Sequence, residues 1–370
     1  MILKKINYYE NEGKDNYWRI RDVNLGDINL IVGLNATGKT RLVNIISNLS
    51  KILTKKIKPT DGCWTLEFQS LDDKTTYVYN LSIIDKVIVK EEIVQNDKVL
   101  LKRATDNGQI WSSSQSKTIT INPPKNELVL SIRRDRVEFP FLEDLYRWAD
   151  NLSGFAFCMS PNEICIPNAP EGFLQSLTTV PFILKEALQQ TPQIKETIIK
   201  DLCSIGYPVN EVRVTNELLP GLPPGLPFAE LQEKDLKCPT KQFQMSQGMF
   251  RAFALIVIVE YILEKNKYFT VIIDDLGEGL DYDRATKLTQ LLFSKAEGSK
   301  MQLLVTSNVR FLINNTNIEY LNILERHGHV VESFNYLNSK EKFEEFKVTG
   351  LSAFDFFTGK MYKEGHDNKD

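Results

Sequence analysis

The feature that most constrains the fold of this chain is the loop Gly-Leu-Asn-Ala-Thr-Gly-Lys-Thr at residues 33–40. It matches the pattern G-x-x-x-x-G-K-[ST] in full. The apolar run Ile28–Val32 predicts a buried strand before the loop, and apolar residues at the helical period predict a helix at Thr40–Leu53 after it. Glycines let such a loop wrap a phosphate chain with its N–H groups pointing inward, and the helix N-terminus adds positive potential. The loop therefore predicts a nucleotide-phosphate site at the end of a strand.

The residues of this loop have predictable roles in binding ATP. The Lys39 ammonium is expected to reach the β- and γ-phosphates and to act in catalysis, and the Thr40 hydroxyl is expected to hold Mg²⁺. The alternative, a chance glycine-rich turn, is disfavoured by the strand and helix that flank the loop. The other predicted phosphate contacts are Gly33, Asn35, Ala36, Thr37, Gly38 and Arg41.

A second candidate site follows the apolar run Val271–Ile273. Asp274, at the end of this predicted strand, is expected to bind Mg²⁺ or its water. Asp275 is the predicted base that orients or deprotonates the attacking water, and Glu278 is a second catalytic candidate. Acidic residues also end strands simply because loops are solvated, but the phosphate loop upstream favours the functional interpretation.

Two further motifs flank Asp274. Met-Ser-Gln-Gly-Met at residues 245–249 opens a predicted helix, and Gly-Leu-Asp at 279–281 follows the acidic pair. With these motifs the chain resembles the ABC-type ATPase superfamily, in which an LSGGQ-like signature precedes the Walker B aspartate and a GLD turn, the D-loop, follows it. The resemblance covers about residues 1–135 and 240–330 and is nearest to the soluble SMC/RecF/OLD-like branch, found in bacterial defence and DNA metabolism.

The resemblance implies a homodimer, or a higher homo-oligomer, that closes around ATP. Ser246 and Gly248 of one copy would bind the γ-phosphate held by the loop of the other copy, with Asp281 and Asn308 as further nucleotide contacts. The alternative for Ser246 is an ordinary helix N-cap followed by a glycine. Gln69, after the predicted strand Trp64–Phe68, is the candidate Q-loop contact to Mg²⁺, and a surface glutamine is an equal alternative.

The chain departs from this family at two positions. The residue after the Walker B aspartate is usually Glu, whereas Asp275 is one methylene shorter. The family usually carries a γ-phosphate-sensing His after the strand predicted at residues 302–305, whereas this chain has Thr306, Ser307 and Asn308. Ser307 or Asn308 can hydrogen-bond a phosphate oxygen, but neither can become cationic. These differences predict slow hydrolysis and a long-lived ATP-bound dimer.

The length of 370 residues allows about two to three domains. The predicted class is α/β, a P-loop NTPase of ABC-ATPase type with a mixed sheet, an N-terminal antiparallel β-subdomain and a helical insertion. We expect an N-terminal ATPase lobe at 1–138, whose β-rich insert includes a strand at Leu128–Ile132. A mostly helical insertion at 139–239 is the candidate partner-binding region, with a Pro/Gly-rich loop at 219–227. A C-terminal lobe at 240–335 and a helix with a polar tail at 336–370 follow.

Charge and cysteine content limit the partners. The net charge of −3 provides no global basic field for nucleic acid, so such binding would need a local patch. The candidate patch contains Arg133, Arg134 and Arg136, with Lys102 and Arg103 nearby, and the commoner alternative is a solvated face paired with Asp135 and Glu138. Five cysteines without C-x-x-C spacing, together with apolar runs too short for a bilayer, predict a cytoplasmic protein without membrane contact.

The sequence therefore predicts a switch without a recognisable effector. We expect an ATP-dependent dimer that gates a separate effector protein, a nuclease being one candidate, in a bacterial anti-phage defence complex. The alternatives are a RecF-like DNA-binding repair ATPase and an ATP-binding scaffold without turnover. His327-Gly328-His329 is expected to be a turn between strands, and the aromatic cluster at 354–357 is expected to pack on the protein's own core.

Overall fold

The computed structural model describes residues 1–156, 180–217 and 225–363. The chain forms two compact units, unit 1 (Met1–Leu152 with Asn317–Asp370) and unit 2 (Ser153–Thr316). The four ranges predicted from the sequence do not coincide with these units, because the chain returns to unit 1 after residue 316. Parts of the predicted partner-binding insertion (157–179 and 218–224), most of the Pro/Gly-rich loop and the tail 364–370 lie outside the described residues.

The strands are numbered along the chain. They are β1 (Ile2–Glu10), β2 (Trp18–Asn24), β3 (Ile28–Val32), β4 (Gly62–Gln69), β5 (Thr76–Ile84), β6 (Val87–Gln95), β7 (Lys98–Ala104), β8 (Asn107–Ser112), β9 (Lys117–Ile121), β10 (Leu152–Ala156), β11 (Val209–Thr215), β12 (Phe228–Glu233), β13 (Thr240–Lys241), β14 (Phe269–Asp274), β15 (Met301–Thr306), β16 (Leu321–His327) and β17 (Val330–Asn335).

The helices are numbered in the same way. They are α1 (Lys39–Leu53), α2 (Val129–Ile132), α3 (Pro140–Asp150), α4 (Val180–Gln190), α5 (Ile194–Ser204), α6 (Gln247–Glu264), α7 (Tyr282–Ala296), α8 (Arg310–Asn314), α9 (Lys340–Lys347) and α10 (Ala353–Thr358). Within the described ranges no helix is both long enough and apolar enough to cross a membrane.

Unit 1 is built on one long mixed sheet. Its strand order is β3-β16-β17-β2-β1-β4-β5-β6-β7-β8-β9. The pairs β3–β16 and β17–β2 are parallel, and the strands from β2 through β1 to β9 form antiparallel pairs. The phosphate loop at 33–40 follows β3 and leads directly into α1, as the hydrophobic periods predicted.

One prediction for unit 1 needs correction, and one strand was not predicted. Leu128–Ile132 is not a strand, because the N–H groups of Val129 and Leu130 donate to the buried Glu91 carboxylate at 2.8 and 3.1 Å and begin the short helix α2. The strand β8 was not predicted, because its polar sequence lacks the apolar alternation by which a strand is recognised.

Two other predictions for unit 1 are confirmed. His327-Gly328-His329 is the turn of the β16–β17 hairpin. Phe356 is fully buried against Phe343 and Phe346, with ring centroids 4.8 and 4.5 Å apart, so the aromatic cluster packs on its own core.

Unit 2 contains the parallel pair β14–β15, with β10 beside β14, and a separate antiparallel sheet in the order β11-β12-β13. Within the predicted helical insertion, Val209–Thr215 and Phe228–Glu233 are the strands β11 and β12 rather than helix, because the two segments pair with each other antiparallel. The long helix α6 is buried over most of its length. Lys295 of α7 joins it to α5 through Glu260 at 2.6 Å and Asp201 at 2.9 Å.

Candidate functional site

The phosphate loop is closed by contacts among its own residues. The Thr37 hydroxyl donates to the Leu34 carbonyl oxygen at 2.9 Å. A Cβ atom on Gly33 would lie 2.5 Å from the Thr37 Oγ1 and 2.8 Å from the Leu324 carbonyl oxygen, so only glycine fits at this position. Gly38 has φ +104, a left-handed conformation that favours glycine, and is the residue before α1.

Lys39 is buried in this loop. Its Nζ donates to the carbonyl oxygens of Gly33 at 2.9 Å and Leu34 at 3.2 Å. The ammonium is therefore held at the loop where phosphate oxygens would be its natural acceptors. Thr40, in the first turn of α1, is exposed.

Residues outside the motif support the loop, and the sequence did not point to two of them. Trp18 lies beneath Gly38, where an added Cβ would be 3.0 Å from the indole, and it is almost completely buried. The Arg41 guanidinium lies 3.8 Å from the Trp18 ring centroid and forms an ion pair with Glu10. Arg326 donates to the Ala36 carbonyl oxygen at 3.3 Å. Glu10 and Arg326 were missed because only the pairing of distant strands brings them to the loop.

Four of the predicted contacts at the loop are exposed, namely Asn35, Ala36, Thr40 and Arg41. Asn35 and Ala36 are at the loop's surface, and Ala36 has φ +65, a conformation uncommon for a residue with a side chain.

Gln69 lies at the far end of β4 from the loop. In the β1–β4 pair, Cys63 lies opposite Tyr9, the neighbour of Glu10, whereas Gln69 lies opposite Ile2. At ~3.3 Å per residue, Gln69 is about 20 Å from Cys63 along the strand. Its side-chain amide donates to a carbonyl oxygen in the following turn at 3.1 Å. This placement gives the predicted Mg²⁺ contact no support, and Gln69 is not part of the site proposed for this protein.

The acidic pair follows β14, in unit 2. Asp274 is half-buried, and Asp275 is exposed with φ +56. The Thr306 hydroxyl, at the end of the neighbouring strand β15, donates to Asp274 Oδ1 at 2.6 Å and accepts the Asp275 N–H at 2.8 Å. The sequence had not assigned a role to Thr306.

The residues after Thr306 differ in accessibility. The Ser307 hydroxyl is buried and donates to the Leu276 carbonyl oxygen at 3.0 Å, so it serves the turn after β14. Asn308 is exposed, which makes it the better candidate for a phosphate contact.

The signature residues lie at the start of α6. Ser246 is exposed, and its hydroxyl oxygen caps the helix by accepting the Met249 N–H at 3.2 Å. Gly248 is buried against the D-loop turn, where an added Cβ would be 2.7 Å from the Gly279 carbonyl oxygen. The signature and the D-loop are therefore packed against each other within unit 2.

A buried arginine strengthens this contact. Arg251 of α6 donates from Nη1 to the Glu278 carbonyl oxygen at 2.8 Å, and a Cβ on Gly279 would lie 2.6 Å from the same nitrogen. The Glu278 side chain is exposed.

The Asp281 side chain makes its contacts with helix α7. Its carboxylate caps the helix by accepting the Arg284 N–H at 3.0 Å and forms an ion pair with the Arg284 guanidinium at 2.8 Å. The bond from the Arg284 backbone N–H, and then the guanidinium, lower the pKa of Asp281. The carboxylate predicted to contact nucleotide is thus an N-cap in this structure.

Two of the five residues in the predicted basic patch, Arg134 and Arg103, make internal contacts, whereas Lys102, Arg133 and Arg136 are exposed. Arg134 forms a two-pronged pair with Glu143 at 2.8 and 2.9 Å and stacks on Tyr146. Arg103 is completely buried beside Glu91 and cannot reach a nucleic acid. Arg134 is paired with Glu143 and Arg103 with Glu91, rather than with the predicted Asp135 and Glu138, because the chain fold supplies these carboxylates.

The oxygen donors of Thr40 and Asp274 suit a Mg²⁺ ion that binds together with a nucleotide. Mg²⁺ keeps several waters and is usually bound by one or two protein groups together with substrate phosphates. Thr40 provides a hydroxyl of this kind, and Asp274 provides a carboxylate of this kind. Across the ranges that the structure describes, no group of three or more His, Cys, Asp or Glu forms a metal site made of protein ligands alone.

Solved structures of SMC head domains resemble this chain. A crystal structure of the SMC head bound to the C-winged helix domain of ScpA matches with a TM-score of 0.54 and 13% identity, covering 90% of this chain and 97% of that chain. The SMC head domain from Thermotoga maritima gives a TM-score of 0.48 at 12% identity, covering 90% and 99%. The Smc head domain with an extended coiled coil, bound to the C-terminal domain of ScpA derived from Pyrococcus furiosus, gives 0.49 at 12%, covering 94% and 99%.

Sequence comparisons find no such relative: no protein-family model matches the chain, and no curated protein does. At 13% identity the structural likeness shows the fold alone. The chain therefore has the mixed α/β fold of an SMC head, which is the ABC-ATPase fold class that its motifs predicted.

Proposed function

We propose that this protein binds ATP with Mg²⁺ and hydrolyses ATP slowly. The observation that carries the proposal is the complete phosphate-loop motif at 33–40, whose left-handed Gly38 opens α1 and whose Lys39 ammonium is already held at the loop carbonyls. Both features suit a chain of phosphates at a helix N-terminus. The SMC-head fold supports assignment to the ABC-type class.

The loop would bind the phosphates of ATP. Lys39 would exchange its loop carbonyls for β- and γ-phosphate oxygens, while Thr40 and Asp274 hold the ion. The Mg²⁺ ion held by these residues would supply positive charge that offsets the negative charge of the phosphates. The remaining proposed phosphate contacts are Gly33, Asn35, Ala36, Thr37, Gly38 and Arg41.

Asp275 is the proposed general base. In hydrolysis a water oxygen bonds to the γ-phosphorus while the bond to the bridging β–γ oxygen breaks, and the water proton passes to the Asp275 carboxylate. Turnover is slow in this proposal because an aspartate reaches one methylene less far than a glutamate and because Ser307 is occupied by Leu276. Glu278 is the alternative base.

The test is an ATPase assay with matched lysine variants of α1. Lys39→Ala should abolish ATP binding and turnover, whereas Lys51→Ala, on the same helix and outside the loop, should leave both unchanged. Asp275→Asn should stop turnover and keep ATP binding, and Asp275→Glu should raise turnover. If wild type and Lys39→Ala hydrolyse ATP equally, the proposal is wrong; ATP binding without any turnover would favour the scaffold alternative.

We also propose that two copies close around ATP, with the α6 N-terminus of each facing phosphates bound by the other. The exposed Ser246 at this terminus supports the proposal, because a helix N-terminus attracts phosphate. Because the Asp281 carboxylate caps α7, we expect Asp281 to contribute to the closed dimer through the conformation of the D-loop turn. Sedimentation of Asp275→Asn should show a dimer with ATP and a monomer with ADP, and a monomer under both conditions would contradict the proposal.

We propose further that the protein gates a separate effector in anti-phage defence. This proposal rests on the family resemblance, and a related fold, the SMC head, is seen bound to a domain of another protein, ScpA. Co-purification from the native operon with Asp275→Asn as bait should retain the partner in ATP and release it in ADP. The pairing of Arg134 with Glu143 and the burial of Arg103 disfavour the DNA-repair alternative.

A further inference from the structure

The ends of the parallel strands β14 and β15 are joined by one buried hydroxyl. Thr306 is fully buried, and its Oγ1 lies 2.6 Å from Asp274 Oδ1 and 2.8 Å from the Asp275 backbone nitrogen. One side chain thus contacts both acidic residues proposed to serve ATP hydrolysis.

The direction of these hydrogen bonds is fixed by chemistry. A backbone N–H can only donate, so the Thr306 oxygen must accept from Asp275. The single hydroxyl proton is then directed to Asp274 Oδ1, which accepts it as a carboxylate oxygen does. This bond holds one carboxylate oxygen and thereby sets the direction in which the other oxygen, Oδ2, points.

The same strand end also holds the backbone of the turn. The Leu276 N–H donates to the Thr306 carbonyl oxygen at 2.9 Å, and the Ser307 hydroxyl donates to the Leu276 carbonyl oxygen at 3.0 Å. Asp275, between these bonds, has φ +56, which an aspartate adopts at some cost and which its surroundings must maintain. The conformation from which Asp275 projects therefore depends on β15.

We propose that Thr306 is a positioning residue that orients Asp274 toward Mg²⁺ and fixes the backbone of the base Asp275. This inference rests on the proposed function, in which Asp274 binds the ion. Groups that hydrogen-bond to a metal ligand set its orientation, and their removal typically lowers metal affinity about 10- to 100-fold.

Thr306→Val is the matched perturbation, because valine keeps the branched shape and removes only the hydroxyl. Thr306→Ser is the conservative control, since it keeps the hydroxyl. Asp274→Asn, which weakens the proposed ligand itself, is the reference for loss of the ion. All are made in the full chain.

The readout is Mn²⁺ binding in the presence of the non-hydrolysable analogue AMPPNP, measured by electron paramagnetic resonance, with AMPPNP binding in EDTA as the metal-free comparison. We expect Thr306→Val to lower the Mn²⁺ affinity about 10- to 100-fold, Thr306→Ser to stay near wild type, and metal-free AMPPNP binding to be equal in all variants. A matching rise in the Mg²⁺ concentration for half-maximal ATPase activity should accompany the loss.

The outcomes separate the two proposals. If Thr306→Val binds Mn²⁺ like wild type while Asp274→Asn does not, the role of Thr306 is wrong and the proposed function stands. If wild type binds no Mn²⁺ with AMPPNP, or Asp274→Asn binds it normally, the metal site of the proposed function is wrong. Thr306→Ala, which introduces no extra volume, replaces the valine variant if that fails to fold. If neither folds, Thr306 supports the fold rather than the ion, and the inference is overturned.

Discussion

Gly248→Ala perturbs the contact between the signature helix α6 and the D-loop turn. A Cβ atom on Gly248 would lie 2.7 Å from the Gly279 carbonyl oxygen and 2.9 Å from Leu280 Cδ2. Real Cβ atoms do not approach other atoms this closely, so one side of the contact must move. The carbonyl belongs to the backbone of the turn, where Gly279 has φ +77 and Arg251 packs against it, so the turn cannot simply rotate away.

The expected cost follows from two opposing effects. Inserting a methyl group into a tight contact typically costs about 1–3 kcal/mol. Alanine in a helix restores up to about 1 kcal/mol relative to glycine. Because two contacts fall below 3.0 Å, we expect a net loss of about 1–2 kcal/mol in the free energy of unfolding.

Urea denaturation followed by far-UV circular dichroism is the assay. All four tryptophans lie in unit 1, at 18, 64, 111 and 148, so their fluorescence reports on that unit and the dichroism of helices such as α6 is needed for unit 2. Gly26→Ala is the control, because its nearest non-neighbour atom is 3.6 Å from the added Cβ. If Gly248→Ala unfolds at the same urea concentration as Gly26→Ala and wild type, the inferred packing of signature on D-loop is wrong.

Three further predictions concern stability. Arg103→Met should cost about 3–5 kcal/mol, because it leaves the buried Glu91 carboxylate without its cation; a loss below about 1 kcal/mol in tryptophan-monitored urea unfolding would contradict this. Hydrogen bonds from Arg134 lower the pKa of Glu143 below 4.5, so the pair stabilises the fold above pH 4.5 and loses this effect as pH falls through the lowered pKa. The stability gap between wild type and Arg134→Gln should therefore narrow in acid, and a constant gap would refute the pairing. Ser246→Ala should cost about 1 kcal/mol by removing the α6 cap, and an unchanged denaturation midpoint would show that the cap contributes nothing.

Hydrophobic periodicity and glycine positions predicted most of the helices and strands that adjoin the nucleotide-binding motifs. The strand β3, the loop at 33–40 and the helix α1 follow from hydrophobic periods and glycine positions, which are properties of neighbouring residues. Helix α6 and strand β14 could be predicted for the same reason. The predicted strand at Leu128–Ile132 was wrong because Glu91, far away in the chain, captures the N–H groups that a strand would use.

The candidate site was predictable only where a motif is continuous. Arg326 supports the loop, and Thr306 holds the acidic pair, through contacts with residues distant in sequence. The sequence did contain one signal for Thr306, since a threonine ends the apolar strand that pairs with the acidic strand. Gln69 shows the opposite case: its position after a strand suggested a role, and the register of β4 pairs it with Ile2, at the other end of β4 from Cys63.

In unit 2, the segment from Asp274 to Asp281 connects the acidic pair with the signature helix α6. At its start, Thr306 and Ser307 of the β15 end bind Asp274, Asp275 and Leu276. At its end, Gly248 and Arg251 of α6 contact Gly279 and Glu278. The signature helix therefore contacts one end of a short, backbone-anchored segment whose other end carries the proposed base. Apart from the bond to the Asp274 carboxylate, these contacts are to backbone carbonyls and N–H groups, so the connection depends on the backbone conformation of the segment, in which Gly277 and Gly279 have positive φ.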